Sequence, residues 1–236
     1  MGSVGLLYVG AVLFINGAML LGWVKGTAAA PMNVFVGLLQ VFTPTYLIVT
    51  ADGNAEQILG ASGLYLFGFT YLYVAFNLFF GLDGSGLGWF SGFVAVCAVV
   101  FAYLSFTRSP TDATFGVIWL YWAFLWALFW LVLARGAEHL TRFTGGVAAV
   151  QGWVTGVLPA FLLLTGNWKG TNTAWAVGYA VFGLVVFGLL YLRLRETATV
   201  PTASAPPSSH SWMLVSLARH ASGRLHARLD EIVHRS

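Results

Sequence analysis

Apolar residues run through this chain in seven stretches of about 20 residues, near 3–24, 31–51, 58–81, 87–107, 114–134, 144–166 and 172–192, and none contains Asp, Glu, Lys, Arg or His. A hydrocarbon core of about 30 Å is crossed by about 20 helical residues rising about 1.5 Å each. Each stretch therefore predicts a transmembrane helix. The links between them are short, which predicts one bundle, a single domain, over residues 1–195 and an all-α polytopic membrane fold. What polarity the spans contain is amide and hydroxyl: Asn16, Asn33, Gln40, Thr70, Asn77, Gln151 and Thr155. Each needs a partner, because an unsatisfied polar group in hydrocarbon costs several kcal/mol. Interhelical bonding is the expected explanation for Asn33 and Asn77.

The pattern changes after Arg195. Residues 196–210 are rich in Pro, Ser, Ala and Thr, too poor in apolar surface to fold, and predict a flexible linker. In 211–236, Val215, Ala218, Ser222, Leu225, Leu229 and Ile232 recur at helical spacing opposite Arg and His, which predicts a basic amphipathic helix.

Composition agrees with lipid as the solvent. The chain is 58% hydrophobic and 8% charged, against about 25% charged in an ordinary soluble domain. The net charge of +3 comes mainly from the tail's arginines, which lack the aromatic interleaving that stacks on bases. Anionic lipid headgroups are the expected neighbour and nucleic acid is not. Lys25, Arg135, Arg142, Arg193 and Arg195 fall on one side of the predicted spans, against Arg108 and Lys169 on the other. By the positive-inside rule the first group is cytoplasmic, and the first span is a retained anchor with its N-terminus outside. Pro31 is expected to open the second span, while Pro44 and Pro159 should bend the second and sixth. Cys97, the lone cysteine, reads as a core side chain.

The chain holds no P-loop, no dinucleotide glycine fingerprint, no metal-ligand pairing on a helix and no nucleophile with a base at depth. An enzyme is not expected, nor is a cofactor or metal. A retinal protein needs a lysine in its last span, and 172–192 has none. Uncharged spans also disfavour ion pumps and coupled carriers, which use an ionisable group at depth. They point to the passage of neutral molecules.

The fifth span, TFGVIWLYWAFLWALFWLVL, sets Trp119, Trp122 and Trp126 at i, i+3 and i+7 on one helix face, and Trp130 extends the row. Membrane belts of Trp sit at span ends, but these rings reach the middle. They must either fill space between helices or line a lumen in which a planar solute slides between indole faces. Gln151 carries the acceptor and donor that an amide or urea solute also carries. Leu6, Val9 and Leu13 form an apolar stripe on the first span that either packs or narrows a lumen.

The segments LLYVGAVLFINGAMLLG (6–22), PMNVFVGLL (31–39), LFGFTYLYVAFNLFFGLD (66–83), IWLYWAFLWALF (118–129) and VQGWVTGVLPAFLLL (150–164) resemble, in order, the helices of the UreI/AmiS family of urea and amide channels. The resemblance covers roughly 4–168. It implies a plasma-membrane channel whose six helices, arranged as three hairpins, surround one solute path per protomer, with six protomers in a ring. It implies an outer constriction at Leu6, Phe67 and Trp119. It implies an inner one at Val9, Leu13, Tyr71, Trp122, Leu125, Trp126 and Gln151.

Three departures qualify what is implied. Gln151 stands where acid-gated urea channels have a glutamate, the ADGNAEQ link lacks their histidine-bearing outer loop, and a seventh span follows the six. The expectation is therefore a passive channel for short-chain amides and urea, without acid gating. A proton- or ion-coupled amide carrier is the alternative. A scaffold is a third reading, its tail docking a cytosolic amidase or urease.

Overall fold

The computed structural model describes residues 2–194. The predicted linker 196–210 and tail helix 211–236 lie outside the described residues. Seven helical spans among the described residues are long and apolar enough to cross a membrane. They are α1 (Gly2–Leu20), α2 (Gly26–Val49), α3 (Ala55–Phe80), α4 (Ser85–Thr107), α5 (Ala113–Arg135), a composite sixth span and α8 (Thr173–Leu194). The sixth, Glu138–Leu164, opens with a 3-10 turn at Glu138–Leu140 and continues as α6 (Thr141–Gln151). A π-turn over Gly152–Val157 and α7 (Leu158–Leu164) complete it. Among the described residues the fold is all-helical, with the seven membrane-length spans of a multi-pass membrane protein, as the apolar pattern predicts.

Local chemistry marks the helix ends. Asn54 caps α3 by accepting from the Glu56 and Gln57 N–H groups, both at 3.0 Å, and Asp112 caps α5 by accepting from Phe115 N–H at 2.8 Å. Gly81 and Gly136 close α3 and α5 in the left-handed region, at φ 61° and 68°. The second helix begins earlier than expected. It starts at Gly26, and Pro31 falls inside it, because the strong helix formers Ala28, Ala29 and Ala30 extend the first turn ahead of the proline.

Six spans pair as three antiparallel hairpins: α2 with α3, α4 with α5, and α1 with the composite sixth span. The α1 pair depends on glycine. A Cβ on Gly10 would stand 2.6 Å from the Gly152 carbonyl, and one on Gly17 2.6 Å from that of Gly145. The backbones meet there with no side chain between them, the membrane version of small-residue packing. Asn16 and Asn33 then tie α1 to α2 by a reciprocal amide pair, 2.8 and 2.7 Å. Asn33 is thus bonded between helices as expected. Asn77 is not: its buried carbonyl oxygen has no partner.

Pro159 cannot donate to the Thr155 carbonyl, and the hydrogen-bond ladder changes register one turn earlier, at the π-turn. The seventh span engages that irregularity. Tyr179 of α8 donates its hydroxyl hydrogen to the Val154 carbonyl at 3.0 Å. Tyr121 of α5 donates in return to the Tyr179 carbonyl, and Gly183 leaves room for the Tyr121 ring.

Candidate functional site

Between the three hairpins lie two cavities in line. The larger, about 290 Å³, opens toward the face bearing the start of α1, and its wall includes Leu6, Val9, Gln40, Phe67, Trp119 and Trp122. The smaller, about 30 Å³, lies toward the other face among Leu13, Asn16, Phe67, Thr70, Tyr71, Trp122, Leu125 and Trp126. That is roughly the volume of a single water. Phe67 and Trp122 belong to both walls and form the partition between them.

Helix periodicity positions this partition. Trp119, Trp122 and Trp126 share one face of α5, and Phe67 on α3 inserts among them. Its ring centre lies 4.8 Å from Trp122 in an edge-to-face contact at 83°, 4.8 Å from Trp126 and 6.1 Å from Trp119. Trp119 is held from behind by Phe101 of α4, stacked at 4.6 Å. Offset and edge-on ring pairs of this kind add about 0.5–1.5 kcal/mol beyond area burial, so the partition is built of mutually braced rings.

The polar handles around the rings are tied off. Trp122 donates its indole N–H to Thr155 Oγ1 at 2.9 Å, and the Thr155 hydroxyl donates to the Gln151 carbonyl at 2.7 Å. Trp122 therefore presents hydrocarbon and ring face to the cavities. The Gln151 side chain donates from Nε2 to the Tyr121 carbonyl at 2.8 Å, and its Oε1 is buried without a partner. Its donor is committed to the fold, and an acceptor remains.

Of the residues expected from sequence, Leu6, Phe67 and Trp119 meet at the larger cavity, while Leu13, Tyr71, Trp122, Leu125 and Trp126 meet at the smaller. Val9 departs from the expectation: it sits with Leu6 at the larger cavity, one helical turn from Leu13. Gln151 is fully buried behind the partition rather than in either wall. Trp130 also leaves the row. It packs edge-on against Trp89 of α4 at 6.2 Å, because Gly88 and Gly92 bring α4 close to α5 at that end. The residue missed among the candidates is Gln40, a wall residue of the larger cavity whose two buried amide atoms lack partners. Its signal in the sequence was only that of one amide among several in the spans.

No Asp, Glu, His, Lys or Arg lines either cavity, and no cluster of metal-ligating side chains occurs among the described residues. Fold and site together define a polytopic helical membrane protein with two aromatic, formally uncharged cavities inside its bundle. The sequence pattern of the AmiS/UreI family transporters matches residues 1–167, and the chain belongs to that family. It is 54% identical to the AmiS2 transporter protein of Rhodococcus erythropolis over 201 residues, covering 85% of this chain and 97% of the other. It is 48% identical to the amidate substrates transporter protein of Mycolicibacterium smegmatis over 209 residues, covering 89% and 97%. The urea channel of Helicobacter pylori, solved in its closed state, superposes with a TM-score of 0.66 at 34% identity, covering 72% of this chain and all of that one. These relatives are named as transporters or channels and not as enzymes.

Proposed function

We propose that this protein is a passive channel for short-chain amides and urea in a bacterial plasma membrane, without acid gating. The observation that carries the reading is the pair of in-line cavities that meet at Phe67 and Trp122 with no ionisable carboxylate, imidazole or amine in their walls. A formal charge entering such a path meets no counter-charge and forfeits its hydration. A neutral planar amide replaces part of its hydration by dispersion against ring faces.

In this reading Leu6, Val9, Phe67 and Trp119 shape the entrance on the N-terminal face, and Leu13, Tyr71, Trp122, Leu125 and Trp126 the passage beyond it. Gln151, through its free Oε1, offers an acceptor when the rings part. Amide over urea is favoured because the relative named as an amidate substrates transporter is 48% identical over 89% of this chain, against 34% over 72% for the urea channel. The N-terminus faces outward, the tail is cytoplasmic and available to an amidase or urease, and six protomers assemble in a ring.

The test is stopped-flow uptake of acetamide and urea by vesicles holding the purified full-length protein. Facilitated entry that an imposed pH gradient or an uncoupler leaves unchanged is the expected result. No acceleration over empty vesicles refutes a channel, and flux that follows the proton gradient replaces it with a coupled carrier.

A further inference from the structure

Four buried side-chain polar atoms among the described residues lack a hydrogen-bond partner, and two of them, Nε2 and Oε1, belong to Gln40. This side chain is 1% exposed and forms part of the wall of the 290 Å³ cavity. Its surroundings are shaped to leave the amide intact. A Cβ on Gly5 of α1 would stand 3.1 Å from Nε2 and 3.2 Å from Oε1, so glycine keeps the space that any side chain would press on. The buried amide two turns earlier on α2 behaves differently: Asn33 exchanges two reciprocal bonds with Asn16 and donates a third to the Ala29 carbonyl. Gln40 has the same donor and acceptor and no protein group to use them on.

We propose that Gln40 is the solute-recognition residue of the larger cavity, pairing with a primary amide or urea through two reciprocal hydrogen bonds like those between Asn16 and Asn33. The inference rests on the amide-channel reading and adds a specificity to it. A primary amide or urea carries an N–H syn to its C=O, so one edge of the solute meets the donor and acceptor of Gln40 together. The terminal torsion of glutamine is broad, so the amide plane can turn about its last bond to meet a solute in the cavity beside Gly5. A simple N-methyl amide prefers the trans form, whose only N–H lies anti to the carbonyl. Such a solute makes one of the two bonds at a time. Gln151 does not supply this pairing, because its NH₂ is held by Tyr121.

The discriminating pair of solutes is acetamide and N-methylformamide, which are isomers, so size does not separate them. In vesicles containing the full-length protein, channel-mediated entry of acetamide should exceed that of N-methylformamide on the order of tenfold, the effect of about one net hydrogen bond. Gln40→Met, close in volume, should bring the two rates within about twofold by removing that bond. Gly5→Ala should move the ratio the same way by crowding the amide. A wild-type protein that passes both isomers equally overturns the proposal, as does an unchanged ratio in Gln40→Met or a uniform fall for every solute. Should Gln40→Met fail to reach the membrane, the wild-type ratio and Gly5→Ala decide. Absence of any amide flux in wild type defeats the channel reading itself, an outcome distinct from all of these.

Discussion

Tyr179 of α8 donates its hydroxyl hydrogen to the Val154 carbonyl, 3.0 Å away in the π-turn of the sixth span. That carbonyl sits where the helix ladder has lost its regular register, three residues after Gln151 and one before Thr155. The seventh span therefore braces the segment that anchors Trp122. The brace is closed by Tyr121, whose hydroxyl donates to the Tyr179 carbonyl and whose own carbonyl holds Gln151. Tyr179→Phe should lower thermal stability in detergent modestly, since a bond of this kind in a membrane bundle averages about 0.6 kcal/mol. It should lower amide flux more than it lowers stability. A melting curve beside a flux assay checks both, and equal behaviour to wild type in each would leave α8 as a bystander.

The Trp122–Thr155 bond should report on the partition directly. Thr155→Val removes the acceptor at 2.9 Å and leaves a buried indole N–H unsatisfied, a loss of about 1–3 kcal/mol. Trp122→Phe removes the donor as well. If the bond matters as a pair, the double variant should be less impaired than the two single effects added together. Strict additivity in stability would show that ring packing alone holds the partition.

Phe67 is the ring common to both cavity walls. Phe67→Ala should join the cavities, raise glycerol and water entry and narrow the difference between amides and other neutral solutes. Destabilisation of about 3–5 kcal/mol is the upper expectation for truncating a buried Phe, so the variant needs checking for assembly before flux is measured. Sodium and chloride conductance should remain absent, because removing a phenyl ring adds no group that solvates an ion.

Flux should be flat across about pH 5 to 8, the range in which an unperturbed histidine changes charge. No histidine or carboxylate lines either cavity. Asp83, in the turn between α3 and α4, is held below the usual carboxylate range, first by the Ser85 hydroxyl and then by its backbone N–H. A depressed folded value means its contribution is present above the unfolded value and is lost only as the pH falls through the folded one. That lies below the tested window. A steep rise in urea or acetamide uptake on acidification would overturn the ungated reading.

Gly10 meets the backbone of Gly152 and Gly156, and Gly17 that of Gly145 and Ala149, with no room for a Cβ between the helices. Gly10→Val should separate α1 from the sixth span and abolish assembly, whereas Gly178→Val, on the open side of α8 with nothing within 4 Å, should assemble normally. Size-exclusion profiles of the two variants make the comparison.

The apolar periodicity by itself determined the seven spans, because length in hydrocarbon is a property of composition that no tertiary contact overrides. It likewise determined the shared face of Trp119, Trp122 and Trp126, since 3.6 residues per turn is local geometry. Where that face points is a question of neighbours. Trp130 has nearly the same helical phase as Trp119 yet packs on Trp89, because Gly88 and Gly92 admit α4 there. Tertiary structure alone decided which amides are satisfied. Asn33, Gln40 and Gln151 are equivalent as residues in apolar runs, and only the placement of Asn16, Gly5 and the Tyr121 carbonyl around them separates a bonded pair, an empty-handed amide and a half-committed one. Hydrogen bonds are short and directional, so their pairing depends on the relative placement of helices distant in sequence.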